Sequence, residues 1–400
     1  MAKKLVVLAG PDEGRVIAIE EETVLIGRSR AAGVHLIDPH VSRVHCQVTT
    51  EKNQSMLVDF DSAGGTFVNG VAIEKHPLKP GDLIRIGATR LQYLEDYVGE
   101  IAAPTPAKPV GSWASELVGQ SFGHFEIGQP IARGKDGYVF HGRDTRTDAP
   151  IAMKVLRADF SDSDKNVKHF VEAMKTVMPL QHPHLIKVFS AGKTGPHCWM
   201  AEEYVAGDSL SAVIGRSEKV GRIDWRLVVR VGVYLARALE YAHAKDLLHL
   251  NVTPQNILVG KLPQDTKLTD LMLADATEED PTKPISAAGL PSESLPYMSP
   301  ERTDRGAKMD VRTDLYSLGA TLYAALTGKP PFEGDSVPDL IEQIRLDSPT
   351  SLKALSALVP DRFTRALRQA LAKRPQDRPA SATVLKTELE AIAKENKLSL

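Results

Sequence analysis

The sequence predicts a two-module chain: an all-β sandwich over residues 1–98, then a bilobal α+β module over residues 119–395. Three observations lead there. Through residue 98, short runs of Val, Ile, Leu and Thr are broken by Gly, Asp, Asn and Pro, the pattern of a small sandwich. Residues 101–112, IAAPTPAKPVGS, are Pro-rich and nearly free of core-forming side chains, so a linker is expected over 99–118. From about 119 a β-rich stretch runs to 205, and helical periodicity dominates from 206 on. A small β-rich lobe beside a large helical one leaves a cleft, a preferred place for ligands.

Taken in order, strands are expected at LVVLAG, RVIAIE, TVLIGR, HCQVTT, MLVDF, TFVNG and DLIRIG. In the small lobe, Val167, Phe170, Val171, Met174, Val177 and Met178 recur at helical spacing and predict one helix. Asp224 is placed to cap a long apolar helix, WRLVVRVGVYLARALEYAHA. Another helix is expected over about 314–327, ended by Gly328 and the pair Pro330–Pro331.

Composition narrows the function classes. The 400 residues suffice for two to three domains, and 42% apolar content allows sizeable cores. A formal net charge of −2 exerts no general pull on nucleic acid or anionic membrane, and neither is expected as a partner. Two cysteines, Cys46 and Cys198, imply no disulfide framework. The opening MAKKLVVLAGPDEG is too short an apolar run for a signal sequence, and no stretch approaches the ~18 residues of a membrane span. A soluble cytoplasmic protein is the expectation.

Three pieces of the first module carry chemistry: IGRS (26–29), SRVH (42–45) and TFVNG (66–70). Lying between strands, they should form loops at one end of the sandwich. Arg28 offers a planar fork suited to phosphate, Ser42 a hydroxyl, Arg43 a second cation, and Asn69 an amide able to pair with a peptide backbone. In this order the pieces resemble the forkhead-associated (FHA) domain, a reader of phosphothreonine peptides. The resemblance implies phosphate binding by Arg28 and Ser42, a structural His45 bracing the loop, and an Asn69 that steadies loops near the peptide. One departure is SAGGT, which puts Gly64 where the family often has Asn.

The second module holds pieces of a nucleotide site. In IARGKDGYVF (131–140), Gly134 and Gly137 separate two strand-like runs and would let the backbone approach phosphates. IAMK (151–154) brings Lys154 on the next strand. Glu172, on the following helix, is placed as its ion-pair partner. Asn256 and Asp270 are plausible Mg²⁺ ligands. Together with YMSPER (297–302), DVRTDLYSLGATLYAALTGKPPF and RPQDRP, this series resembles a bacterial-type Ser/Thr protein kinase over residues 119–395. The resemblance implies a small lobe over 119–205 and a large lobe over 206–395. It also implies phosphate contact by Lys154, a pocket lined by Ile131, Val139 and Ala152, and a hinge at about Glu203–Val205. Asp314 takes the family position in the helix behind the cleft, and Arg378 should pair with Glu301.

The catalytic stretch departs from that family. Where the family reads His-Arg-Asp-x-Lys-Pro-x-Asn, this chain has HLNVTPQN (249–256). Asn251 replaces the Asp that accepts the substrate's proton, and Thr253 replaces the Lys that neutralises the transferring phosphoryl group. Losing such groups costs ~10³-fold or more when they act as a unit. Leu250 replaces the Arg that receives a phosphorylated activation loop. Leu271 and Met272 follow Asp270 in place of Phe and Gly, Ala132 stands at the first glycine of the phosphate loop, and Glu293-Ser294-Leu295 replaces Gly-Thr-Pro. Glu202 lies at the back of the adenine pocket, with Lys154 as a candidate partner.

The expected function is thus a phosphothreonine-reading signalling protein with a pseudokinase domain, for which ATP and Mg²⁺ are the candidate ligands. An active Ser/Thr kinase that recruits substrates through its FHA domain, and a purely structural adaptor, are the alternatives. The expected partner is a phosphothreonine-containing protein, such as an active kinase or its substrate. Thr105 and Thr277 are candidate phosphosites that an FHA domain could bind internally.

Overall fold

The computed structural model describes residues 2–12, 15–19, 23–29, 32–51, 54–79, 82–96, 112–134, 137–220, 223–273, 293–304, 307–349 and 359–400. Thr105 and Thr277 fall outside them. Two compact units form, one from the first hundred residues and one from most of the remainder.

The N-terminal unit is a sandwich. Its first sheet contains β1 (Ala2–Ala9), β2 (Val16–Ile19), β7 (Thr66–Val68), β8 (Val71–Ile73), β10 (Leu83–Ile86) and β11 (Thr89–Asp96), ordered β2-β1-β11-β10-β7-β8. The second holds β3 (Thr23–Gly27), β4 (Val34–His35), β5 (Cys46–Glu51), β6 (Gln54–Asp59) and β9 (Lys75–Leu78), ordered β4-β3-β5-β6-β9. Alternation along the strands sends Leu5, Val7, Ile26, Val48, Leu57, Ile84, Leu91 and Tyr93 into one shared core. Each expected strand is present. The longest addition is β11, whose sequence TRLQYLED buries Leu91 and Tyr93. Pro77 lies in β9, an edge strand, where its missing N–H leaves no gap in the ladder.

The C-terminal unit opens with a correction. The expected linker 99–118 ends in a helix, α1 (Ser112–Leu117). Its Ala114 and Leu117 are buried against Phe125, Tyr138, Met153 and Trp199 on the outer face of a six-stranded sheet. That sheet comprises β12 (Ser121–Phe122), β13 (Phe125–Arg133), β14 (Gly137–Asp144), β15 (Pro150–Leu156), β16 (Val188–Thr194) and β17 (His197–Glu203), ordered β12-β13-β14-β15-β17-β16. Helix α2 (Asp164–Val177) lies within it in sequence and is capped by Ser163, whose hydroxyl accepts from the Asn166 N–H.

Helices then dominate: α3 (Leu210–Val220), α4 (Trp225–His243), α5 (Val311–Thr327), α6 (Val337–Leu346), α7 (Asp361–Ala370) and α8 (Ala382–Glu395). Short strands β18 (Gly207–Ser209), β19 (Ile257–Gly260) and β20 (Lys267–Leu268) form a small sheet among them. α4 begins directly after Asp224, as expected. α5 starts earlier than the apolar pattern suggests, because Asp310 caps it, and ends at Gly328 with φ 83°. Among the described residues no helix is long and apolar enough to cross a membrane.

Candidate functional site

At one end of the sandwich three loops meet. The Arg28 N–H donates to Ser42 O (2.9 Å), the Ser29 N–H to Arg43 O (3.0 Å), and the His45 N–H to Ile26 O (2.9 Å). This close passage needs Gly27: a Cβ there would stand 2.2 Å from the Arg43 carbonyl oxygen. The third loop joins through Ser42, whose Oγ accepts from the Ala63 N–H (3.2 Å) and keeps its own proton to donate. His45 is wholly buried and ties the loops together. Its Nδ1 accepts from the Ser42 N–H (3.0 Å) and its Nε2–H donates to Gly65 O (3.3 Å). Burial holds its pKa below the usual value, so the neutral ring that can do both is favoured. Nearby, Asp59 is anchored by Ser62 (2.6 Å) and Thr66.

Arg28 and Arg43 are exposed beside half-buried Ser42. Arg28 uses its Nε on Val41 O (3.1 Å), which aims the rest of the guanidinium outward. The structure thus brings these three expected residues together. Asn69 differs. Its Nδ2 donates to Asp82 Oδ1 (2.8 Å), its Oδ1 accepts from the Leu83 N–H (3.0 Å), and it sits at φ 51°. Both ends of the amide tie the β7–β8 turn to the start of β10, which fits the loop-steadying role that the FHA resemblance implies, and a second N–H is left over for a peptide backbone.

In the second unit the candidate nucleotide site is built on the inner face of the small-lobe sheet. Register pairs Lys154 with Val139 and with Met200, and Ala152 with Glu202. Residues directly opposite share a face, so Val139, Ala152, Lys154, Met200 and Glu202 line one side. Ile131 is half-buried at the end of β13, and the Gly134 N–H donates to Gly137 O (2.9 Å). Gly137 has a structural reason of its own: a Cβ there would lie 1.9 Å from Val155 O. At the hinge, Glu203 is tied to Lys267 (3.0 Å) and to the Lys187 backbone, whereas Val205 makes no hydrogen bond among the described residues. An unpaired backbone at that place suits the edge of a purine base.

The expected pair of Lys154 with Glu172 is not formed. Lys154 Nζ lies 2.6 Å from Asp270 Oδ2, and Glu172 points to solvent. The cause is helix phase. The buried face of α2 is Phe170, Ala173, Met174 and Val177, while Val171 and Met178, expected in the apolar stripe, are exposed. Ala173 faces inward where a glutamate was anticipated. Its short side chain made it easy to overlook in the periodicity.

Glu202 is the residue whose importance the sequence understated. It is buried to 5% exposure, and its Oε2 has no hydrogen-bond partner among the described residues. Burial first, then the nearby charge of Asp270, push its pKa up to about 8 against the pull of Lys154.

The catalytic loop is held rigidly from below. Asp314, fully buried on α5, accepts from the backbone N–H groups of His249 (2.8 Å) and Leu250 (2.7 Å), and bonds His243 Nε2 (2.8 Å). Burial pushes the Asp314 carboxyl up, but its hydrogen bonds to His243 and to the loop backbone outweigh it, and the net shift is downward. His249 accepts from the Asn251 N–H (3.3 Å) and donates to Thr269 O (2.9 Å). Thr321 holds Val252 O (3.0 Å), and Arg302 reaches Leu250 O. As expected, Arg378 forms a buried two-pronged pair with Glu301 (2.7 and 2.8 Å).

Within that loop Asn251 is half-buried and Thr253 buried. Asn256 donates its Nδ2 to Asn251 O (2.9 Å), leaving its side-chain oxygen without a partner among the described residues. Leu271 is buried and lines an apolar pocket with Val177 and Met200. Met272 takes φ 60°, a left-handed conformation that favours glycine.

Residues 125–389, more than half of the chain, match the model of the protein kinase domain. The chain belongs to the protein kinase family. Residues 24–87 match the FHA domain, so this family member carries an FHA domain before its kinase domain. Its curated relatives include bacterial Ser/Thr kinases. The serine/threonine-protein kinase pkn3 of Myxococcus xanthus is 32% identical over 296 residues, 70% of this chain and 52% of the relative. PknL of Mycobacterium tuberculosis is 33% identical over 266 residues, 66% of this chain and 64% of PknL. Among solved structures, the kinase domain of Mycobacterium tuberculosis PknI aligns with a TM-score of 0.55 at 24% identity, covering 69% of this chain and 98% of that one. Rad53 1–466 in complex with AMP-PNP aligns at 0.54 and 19% identity, covering 97% and 99%. At these identities the structural likeness speaks to fold.

Proposed function

We propose that this protein reads phosphothreonine through its FHA domain and uses its kinase domain as a pseudokinase, a nucleotide-responsive module with little or no phosphotransfer. The observation that carries the reading is Asn251. The loop around it is fastened by Asp314, His249, Thr321 and Arg302, yet the side chain presented at the reacting position is an amide. An amide oxygen accepts a hydrogen bond but holds no proton at neutral pH. Thr253 supplies no charge where a phosphoryl group would need one.

The donor set still fits ATP and a divalent cation. Lys154 and Asp270 lie together, and among the described residues the Asn256 oxygen and the Val205 backbone have no hydrogen-bond partner. One carboxylate, one amide oxygen and nucleotide phosphates make up an ordinary Mg²⁺ shell. Bound nucleotide would supply the phosphates that this cation needs, and Lys154 would balance their charge. At the other end, Arg28, Arg43 and the Ser42 hydroxyl suit a phosphothreonine side chain on an extended peptide of an active kinase or its substrate. Cys46 and Cys198 are buried free thiols, which suits a reducing, cytoplasmic setting.

The test is a thermal-shift titration with ATP, with and without Mg²⁺, beside a phosphotransfer assay. A Mg²⁺-dependent rise in Tm without phosphotransfer is expected. Robust phosphotransfer would replace this reading with that of a working kinase, which the retained Lys154, Asn256 and Asp270 favour. No shift at millimolar ATP would leave a structural adaptor.

A further inference from the structure

We infer that Glu202, on strand β17, is the positioning acid of Lys154, in the role expected of a glutamate on α2. This rests on the nucleotide-site reading above and names the group that keeps its lysine in place.

Four observations lead to it. No carboxylate faces inward from α2: the buried positions are Phe170, Ala173, Met174 and Val177, and Glu172 is exposed. Lys154 and Glu202 project from adjacent strands onto one face. Glu202 lies opposite Ala152, two residues from Lys154, and such diagonal neighbours are within reach of long side chains. Glu202 is more than nine-tenths buried and one of its oxygens has no partner among the described residues, a state that persists only where a compensating charge is near. Finally, Lys154 pairs with Asp270, itself a candidate cation ligand. When Asp270 turns to a cation, Lys154 loses that contact, and Glu202 is the carboxylate left on its own face of the sheet.

The arrangement has a mechanical consequence. A lysine held by an acid on a helix depends on where the helix sits. Here both partners stand on adjacent strands of one sheet, so Lys154 is placed by the sheet itself. Movement of α2 would leave it undisturbed.

The experiment uses the full chain and a double-mutant cycle. Lys154→Met, Glu202→Gln and the double variant are compared by thermal unfolding without ligand, with Glu172→Gln in place of Glu202→Gln as the parallel cycle. Lys154→Met should lower Tm more when Glu202 is present than when it is Gln, while the Glu172 cycle should be additive. An additive Glu202 cycle, or a non-additive Glu172 cycle, overturns the inference. The second reading is affinity for trinitrophenyl-ATP. Glu202→Gln should weaken it about tenfold, the order of one charge-assisted hydrogen bond, and Glu172→Gln should leave it unchanged. Equal or tighter binding by Glu202→Gln counts against the inference. Glu202→Met, which fills the same buried space with an apolar chain, replaces Gln if that variant folds poorly. If the wild-type chain binds no nucleotide, the nucleotide reading fails, and the ligand-free cycle alone decides the role of Glu202.

Discussion

Two loops in this protein are fastened by the same device and carry opposite contents. In the FHA domain, buried His45 accepts from the Ser42 N–H and donates to Gly65 O. In the kinase domain, buried His249 accepts from the Asn251 N–H and donates to Thr269 O. Burial lowers the pKa of each ring, which keeps it neutral and able to play both parts. The loops that His45 braces present Arg28, Ser42 and Arg43, all suited to phosphate. The loop that His249 braces carries half-buried Asn251 between buried Leu250 and Thr253, none of them charged. Bracing groups answer to folding, since a buried polar atom without a partner is costly wherever it lies. The displayed groups answer only to chemistry, so they can change while the scaffold stays.

The largest effect should come from refilling the second loop. Asn251→Asp with Thr253→Lys restores a base and a charge to a scaffold already in place. A rise of ~10³-fold in phosphotransfer is expected, measured with Mg²⁺-ATP and a generic protein substrate. No rise would mean that the loop is not the sole obstacle and would turn attention to Lys154 and Glu202. Emptying the first loop is the converse. Arg28→Ala should weaken binding of a phosphothreonine peptide by about 10²-fold, the scale of lost hydrogen bonds to a charged group. Calorimetry with phosphorylated and plain peptides would show it. Equal affinity for the two peptides in the wild type would remove the reader role.

Much of this was legible in the sequence, and what was missed has a common cause. Strands, helices and the order of the motifs follow from periodicity and punctuation, which are local. The helix end at Gly328 and the Arg378–Glu301 pair came out as expected. The failures sit where facing depends on tertiary packing. A phase error of one residue on α2 moved the anticipated acid to exposed Glu172 and hid Ala173. The α1 helix was masked by the Pro-rich run before it, although Trp113 and Leu117 pack on the small-lobe core. Asn69 fits the loop-steadying role that the FHA resemblance implies, but its partners Asp82 and Leu83 lie thirteen or more residues away, where no local pattern points to them.

A smaller change sharpens the FHA side. Gly64 stands where the family often has Asn, and a Cβ there meets only ordinary contact, 3.7 Å from His40 O. Gly64→Asn should therefore fold normally and offer the peptide backbone one more hydrogen bond. Affinity should rise several-fold, about 1 kcal/mol, in the same titration. The brace itself can be probed by pH. His45 binds its proton less readily folded than unfolded, so between its lowered pKa and about 6.5 the unfolded chain holds more protons. Stability of this domain should fall as pH drops through that window and level off below it. His45→Gln should be less stable at pH 7.5 yet lose less on acidification, read by urea unfolding at pH 7.5 and 5.5.

The smallest effect tests whether the kinase domain stores strain beside Asp270. Met272 sits at φ 60°, which costs an L-residue ~1–2 kcal/mol. Glycine removes that penalty, but it gives up ~0.5–1 kcal/mol through the freer unfolded chain, along with the contacts of a half-buried side chain. Met272→Gly should thus stabilise the domain by no more than about 1 kcal/mol, a Tm rise of a few degrees or less. Its effect on Mg²⁺-dependent nucleotide binding should be larger in proportion, because residue 272 sets the backbone next to Leu271 and Asp270. A gain in Mg²⁺ affinity without a gain in stability would mean that the methionine hampers the metal position directly. A loss of stability would mean that its packing outweighs the strain, and that the left-handed turn was kept for the sake of the fold.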